Sequence, residues 1–82
     1  MSVLYIVGTP IGNLQDMTFR AVETLKSVDY IACEDTRHTL QLLNHFEIKK
    51  PLISCRAQNE KFAGEKILKL LDDGFSVAYA SD

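Results

Sequence analysis

Four consecutive residues, Glu34-Asp35-Thr36-Arg37, hold the densest set of reactive groups in this sequence. Adjacent carboxylates repel, and enclosing them in a cleft raises at least one pKa, which suits a general base. Arg37 adds a planar fork of donors matched to phosphate or carboxylate. The same residue types serve a plainer purpose at a helix start, where acids favour the dipole and Thr36 or Asp35 supplies the cap. Spacing alone leaves both readings open and leans to the plainer one.

A second stretch, Val7-Gly8-Thr9-Pro10-Ile11-Gly12-Asn13-Leu14, follows an apolar run. Pro10 lacks an N–H and biases Thr9 toward an extended conformation, while Gly8 and Gly12 permit backbone angles closed to other residues. These features predict an ordered turn that offers the Thr9 and Asn13 side chains at the carboxyl end of a strand, where ligands bind in open α/β sheets. The turn is neither GxGxxG nor GK[ST], so neither known phosphate cradle is supported. It reads as an ordinary connection or as a binding loop, and the rigidity of Pro10 between two glycines favours binding. His38 and His45 lie seven apart, whereas a helical metal pair wants i,i+4 and further ligands, so both are read as surface or interfacial residues. Cys33 and Cys55 form neither a CxxC pair nor a disulfide framework, and read as reduced, partly buried thiols.

The elements that position these groups follow from hydrophobic patterning. Val3-Leu4-Tyr5-Ile6-Val7 has no helical period and predicts a fully buried strand. Asn13 or Asp16 is expected to cap a helix carrying Met17, Val22, Leu25 and Val28. Tyr30-Ile31-Ala32-Cys33 predicts a second strand, followed by a helix whose apolar face is Leu40, Leu43 and Phe46. Pro51 ends that pattern, and Leu52-Ile53-Ser54-Cys55 predicts a third strand. A third helix from about Glu60 is expected to bury Phe62, Ala63, Ile67, Leu70 and Leu71, with Gly74 as its left-handed terminator. Residues 75–80 predict the fourth strand. The order βαβαβαβ predicts an α/β domain with a parallel sheet and right-handed crossovers. Parallel connection gathers residues 8–13, 34–38, 54–59 and 81–82 along one edge of that sheet.

With 82 residues, the chain can hold one small domain, burying about 60–65% of its unfolded surface. Apolar content of 46% and charged content of 24% are ordinary for a globular protein. No apolar run approaches the ~18 residues of a membrane span, and the N-terminus lacks the basic flank of a signal peptide, so a cytoplasmic location is expected. The net charge of −2 is unlike the basic face of most nucleic-acid binders. An RNA substrate would therefore draw most of its electrostatic attraction from elsewhere.

Two longer motifs carry a resemblance. Thr9-Pro10-Ile11-Gly12-Asn13-Leu14, with Asp16, Thr18, Arg20 and Ala21, closely resembles the opening motif of the ribosomal RNA small-subunit 2′-O-methyltransferases of the tetrapyrrole methylase superfamily. Glu34-Asp35-Thr36-Arg37-x-Thr39 followed by Leu42-Leu43-Asn44-His45-Phe46 is similar to that family's second motif. Pro51-Leu52-Ile53-Ser54 and Asn59-Glu60 resemble the third, and Ser81-Asp82 the first two residues of a fourth. The resemblance spans the whole chain, and the first two motifs are specific.

The resemblance implies a three-layer αβα domain with a mainly parallel sheet. It further implies that residues 1–82 are the N-terminal domain of a longer methyltransferase, because family members continue into a Gly-Thr-Pro loop and a second domain. Such enzymes transfer the methyl of S-adenosylmethionine to a cytidine ribose 2′-hydroxyl in 16S rRNA near the decoding centre, usually as homodimers, without a metal or a covalent intermediate. On this resemblance Glu34 and Asp35 are the base or orienting candidates. Thr9, Pro10, Gly12 and Asn13 wall the cleft near the substrate nucleotide together with Thr36, Arg37 meets a phosphate, and Ser81 and Asp82 begin the cofactor side. The family commonly has histidines ahead of Asn-Glu where this chain carries Arg56 and Gln58, so no acid–base role carries over there. Two other readings stand beside this one: a superfamily enzyme acting on a tetrapyrrole or other small molecule, and a non-catalytic binding or assembly module.

Overall fold

Strands far apart in sequence pair to build one four-stranded parallel sheet of order β1-β4-β2-β3. The computed structural model describes residues 2–10 and 13–81; Gly12 and Asp82, both singled out above, lie outside them. The elements are β1 (Leu4–Gly8), α1 (Phe19–Ser27), β2 (Tyr30–Cys33), α2 (Thr36–His45), β3 (Leu52–Ser54), α3 (Glu60–Asp72) and β4 (Val77–Ser81). Single 3₁₀ turns at Leu14–Asp16 and Ala57–Asn59 precede α1 and α3.

Strand order decides which face each helix covers. The steps β1 to β2 and β2 to β3 run in one direction across the sheet, so right-handed crossovers put α1 and α2 on one face. The step β3 to β4 reverses, and α3 covers the opposite face. Packing agrees: Leu25, Val28, Leu42 and Leu43 close over Val7, Ile31, Cys33, Ala78 and Ala80. Across the sheet, Ile67, Leu70 and Leu71 cover Ala32, Ile53 and Val77. The three-layer αβα arrangement is therefore as expected.

Several local expectations are corrected. β1 is not fully buried: it is an edge strand paired with β4 alone among the described residues, and Ile6 is 72% exposed. Register puts Leu4 and Ile6 level with Val77 and Tyr79, on the α3 face, but α3 packs over the other three strands. Gly8 is ordinary extended strand opposite Ser81, and the left-handed glycine among the described residues is Gly74, at φ 93°. Asp16 lies inside the first 3₁₀ turn, and α1 is capped instead by Thr18, whose Oγ1 accepts from the Ala21 N–H at 3.1 Å. The buried stripe of α2 is Thr39, Leu42 and Leu43, which turns Leu40 outward to 50% exposure. Phe62 likewise lies off the stripe of Ala63, Ile67, Leu70 and Leu71 and is 71% exposed. β3 stops at Ser54, and β4 begins at Val77 because Ser76 is held by Asp29: its N–H donates to the carboxylate at 2.9 Å and its carbonyl accepts from the Asp29 N–H at 3.0 Å. No helix among the described residues is long and apolar enough to cross a membrane.

Candidate active site

All four strands point their carboxyl ends to the same edge. At that edge β2 leads to α2 on one face, while its neighbour β3 leads to α3 on the other. Two adjacent exits diverging to opposite faces leave a crevice between them, which is where open α/β sheets bind ligands. Here the crevice encloses about 650 Å³, with Glu34, Asp35, Thr36 and Arg37 on one wall and Arg56, Ala57 and Gln58 on the other. Glu34 also borders two adjoining hollows. One, of about 350 Å³, runs toward α3 past Cys55, Glu60 and Tyr79; the other, of about 150 Å³, runs toward β4 past Asp35, Thr39 and Ser81. The single residue that follows the central strand β2 thus stands where all three meet.

The two carboxylates differ in their commitments. Asp35 caps α2: its Oδ1 accepts from the His38 N–H at 3.1 Å. That hydrogen bond, helped by the Arg37 N–H and by the charges of His38 and Arg56, holds the Asp35 carboxyl below its ordinary value of 3.8. The expected upward shift is therefore absent at Asp35, and the plainer reading of an acid at a helix start applies to it. Glu34 is exposed and makes no side-chain hydrogen bond or ion pair with another described residue. Beside it, burial pushes the Tyr79 phenol up, with nearby negative charge adding to the effect, so this hydroxyl remains a donor. Burial likewise raises the Cys55 thiol and keeps it protonated.

The first loop is built differently from the crevice. Thr9 is buried, and both its N–H (2.7 Å) and its Oγ1 (3.1 Å) donate to the Ser81 carbonyl, fastening the exit of β1 to that of β4. The Pro10 carbonyl is 3.1 Å from His38 Nε2, which donates to it when that nitrogen carries the proton. His38 is thus a tie between α2 and the first loop, a role its sequence position did not disclose. The Asn13 carboxamide accepts from the Gln15 N–H at 2.9 Å and caps the 3₁₀ turn.

Of the residues singled out from sequence, the structure brings Glu34, Asp35, Thr36 and Arg37 together in the crevice and adds Ser81 beside the first two. Thr9, Pro10 and Asn13 belong to a separate part of the same edge and line none of these three hollows. Arg56 and Gln58 had no assigned role, although the expected gathering of residues 54–59 at this edge was the signal for them.

Residues 3–82 match the family model of the Tetrapyrrole (Corrin/Porphyrin) Methylases. The chain belongs to that family. Among its curated relatives, the Ribosomal RNA small subunit methyltransferase I of Mycoplasmopsis pulmonis is 58% identical over the whole of this chain, which covers 37% of that protein. The proteins of the same name from Thermotoga maritima and Bacillus subtilis are 55% and 54% identical over the whole chain, which covers 37% and 28% of them. The chain therefore spans about a third of the length of these relatives. In this tetrapyrrole methylase domain, the crevice lies where the second and third of the motifs quoted above meet, at the exits of β2 and β3.

Proposed function

We propose that this chain forms one wall of an S-adenosylmethionine-dependent methyltransferase that modifies a cytidine ribose 2′-hydroxyl of 16S rRNA, near the decoding centre of the small ribosomal subunit. The observation that carries this reading is whole-chain identity above one half to proteins named Ribosomal RNA small subunit methyltransferase I. It is supported by a crevice that combines carboxylates with guanidiniums, as a reaction needing both a proton acceptor and a grip on phosphate requires. An RNA substrate of this kind assigns the enzyme to the cytoplasm.

The donor, when bound, supplies an electrophilic methyl on a sulfonium. A positively charged ligand suits the hollow bordered by Glu34, Asp35, Tyr79 and Ser81, but about 150 Å³ accommodates only part of such a molecule. The rest of its surface belongs against a second domain, since small-molecule sites typically enclose about 70–90% of their ligand. Glu34 is the proton acceptor for the ribose hydroxyl: it is the carboxylate without a structural hydrogen bond, and it stands between the larger crevice and the donor side. Asp35 holds the turn and orients α2, Thr36 lines the wall, and Arg37 meets a phosphate. Thr9, Pro10, Gly12 and Asn13 are the proposed residues on the side of the nucleotide. A homodimer is the proposed assembly of the full-length enzyme.

The test uses full-length protein, methyl-labelled S-adenosylmethionine and small subunits from cells that lack the modification. Label should appear on a cytidine 2′-oxygen of 16S rRNA. Label on a small-molecule acceptor and none on RNA would replace this reading with that of a tetrapyrrole or other small-molecule methylase.

A further inference from the structure

Two guanidiniums enter the crevice from opposite walls, Arg37 from the first turn of α2 and Arg56 from the connection after β3. Both residues are exposed, and neither guanidinium forms an ion pair or hydrogen bond with another described residue. Arg56 is not at the end of a loose loop. Its N–H donates to Asn59 Oδ1 at 2.7 Å, and Asn59 Nδ2 donates to the Ser54 carbonyl at 3.1 Å, which pins the turn to the last residue of β3. A side chain leaving a braced backbone loses less freedom when it binds.

Charge balance gives Arg56 a task. With Arg37 alone, the lining acids Glu34 and Asp35 leave the crevice net negative and repellent to a polyanion. Arg56 brings the lining to neutrality while keeping a cation on each wall. We propose that Arg56 and Arg37 form a two-sided clamp, with the phosphodiester backbone of the substrate RNA held between them and its ribose turned toward Glu34. This inference rests on the RNA-methylation reading above and adds to it the residue that lets an acidic crevice accept an RNA strand. Guanidiniums suit the purpose because their fork grips phosphate oxygens in pairs.

The experiment uses the full-length enzyme with unmethylated small subunits, comparing wild type with Arg56→Gln, Arg56→Lys and Arg37→Gln. Arg56→Gln and Arg37→Gln should each raise the RNA KM about tenfold, the loss of one charge-assisted contact, with the KM for S-adenosylmethionine unmoved. The slope of log affinity against log salt should fall by about 0.7–0.9 for each, the yield of one phosphate contact. Arg56→Lys should restore the slope and part of the affinity. If wild type methylates RNA and Arg56→Gln keeps its RNA KM and salt slope, the clamp is wrong and the methylation reading survives. If Arg56→Lys is as impaired as Arg56→Gln with the slope unchanged, Arg56 is structural and the clamp is again wrong. If wild type transfers no methyl to RNA, both readings fall together.

Discussion

The two faces of the sheet are unequal. Beneath α1 and α2 a continuous core of buried side chains runs from Val7 to Ala80, whereas α3 covers three buried strand residues and contributes Ala63 as its own buried residue. Neither helix length nor apolar content explains this, since α3 is the longest of the three. Direction does: two successive crossovers in one sense stack two helices side by side, and the single reversed crossover puts α3 on the other face, as the one helix there among the described residues. The same reversal parts the exits of β2 and β3. A thick face and an open crevice are thus two results of one topological step, so stability should depend on the first and turnover on the second.

The largest effect expected from that division is on rate. In the full-length enzyme, Glu34→Gln should lower the single-turnover rate by about 10²- to 10⁴-fold and flatten its dependence on pH, with little change in unfolding, as for loss of a general base. A wild-type rate and profile would pass the proton to solvent or to another group. Next comes the core. In the 82-residue chain, Leu43→Ala should cost about 2–5 kcal/mol in denaturant unfolding, and Ile67→Ala under the thinner α3 face about 1 kcal/mol. Equal losses would end the comparison of faces. Thr18→Ala should cost about 1 kcal/mol by uncapping α1, measured in the same way.

The smallest effect concerns acid. The Asp35 carboxyl lies below 3.8 when folded, so its stabilising contribution is complete above that value and is lost as pH falls through it toward the lower folded value. Arg56→Gln, which removes one of the charges holding that carboxyl down, should make the acid limb of thermal unfolding shallower, and Asp35→Asn should abolish Asp35's part of it. Identical acid limbs in all three proteins would show that the carboxyl carries no such linkage.

The order of strands and helices was legible because each short apolar run is bounded by turn residues and each helix keeps its period. Strand order was not. A run such as Leu4-Tyr5-Ile6 reads alike at a sheet's centre and at its edge, and only pairing tells which. Helical phase was legible to within one position: Leu40 and Phe62 are apolar, but the stripes through Leu43 and Ala63 exclude them. Asp35 and Arg37 stood out by residue type, whereas Arg56 acquires meaning only through the neighbouring exit, and His38 through a carbonyl 28 residues away.

The double hydrogen bond from Thr9 to Ser81 also sets an order of events. These residues are 72 apart, so at ~5–20 residues per second the ribosome takes roughly 4–14 s to deliver the partner after Thr9 is made. Through that interval β2 and β3 can already pair, whereas β1 waits for β4, its one partner among the described residues. β1 is therefore fastened to β4 only after β2 and β3 have been made, and Thr9 is held at the exit of β4 only then.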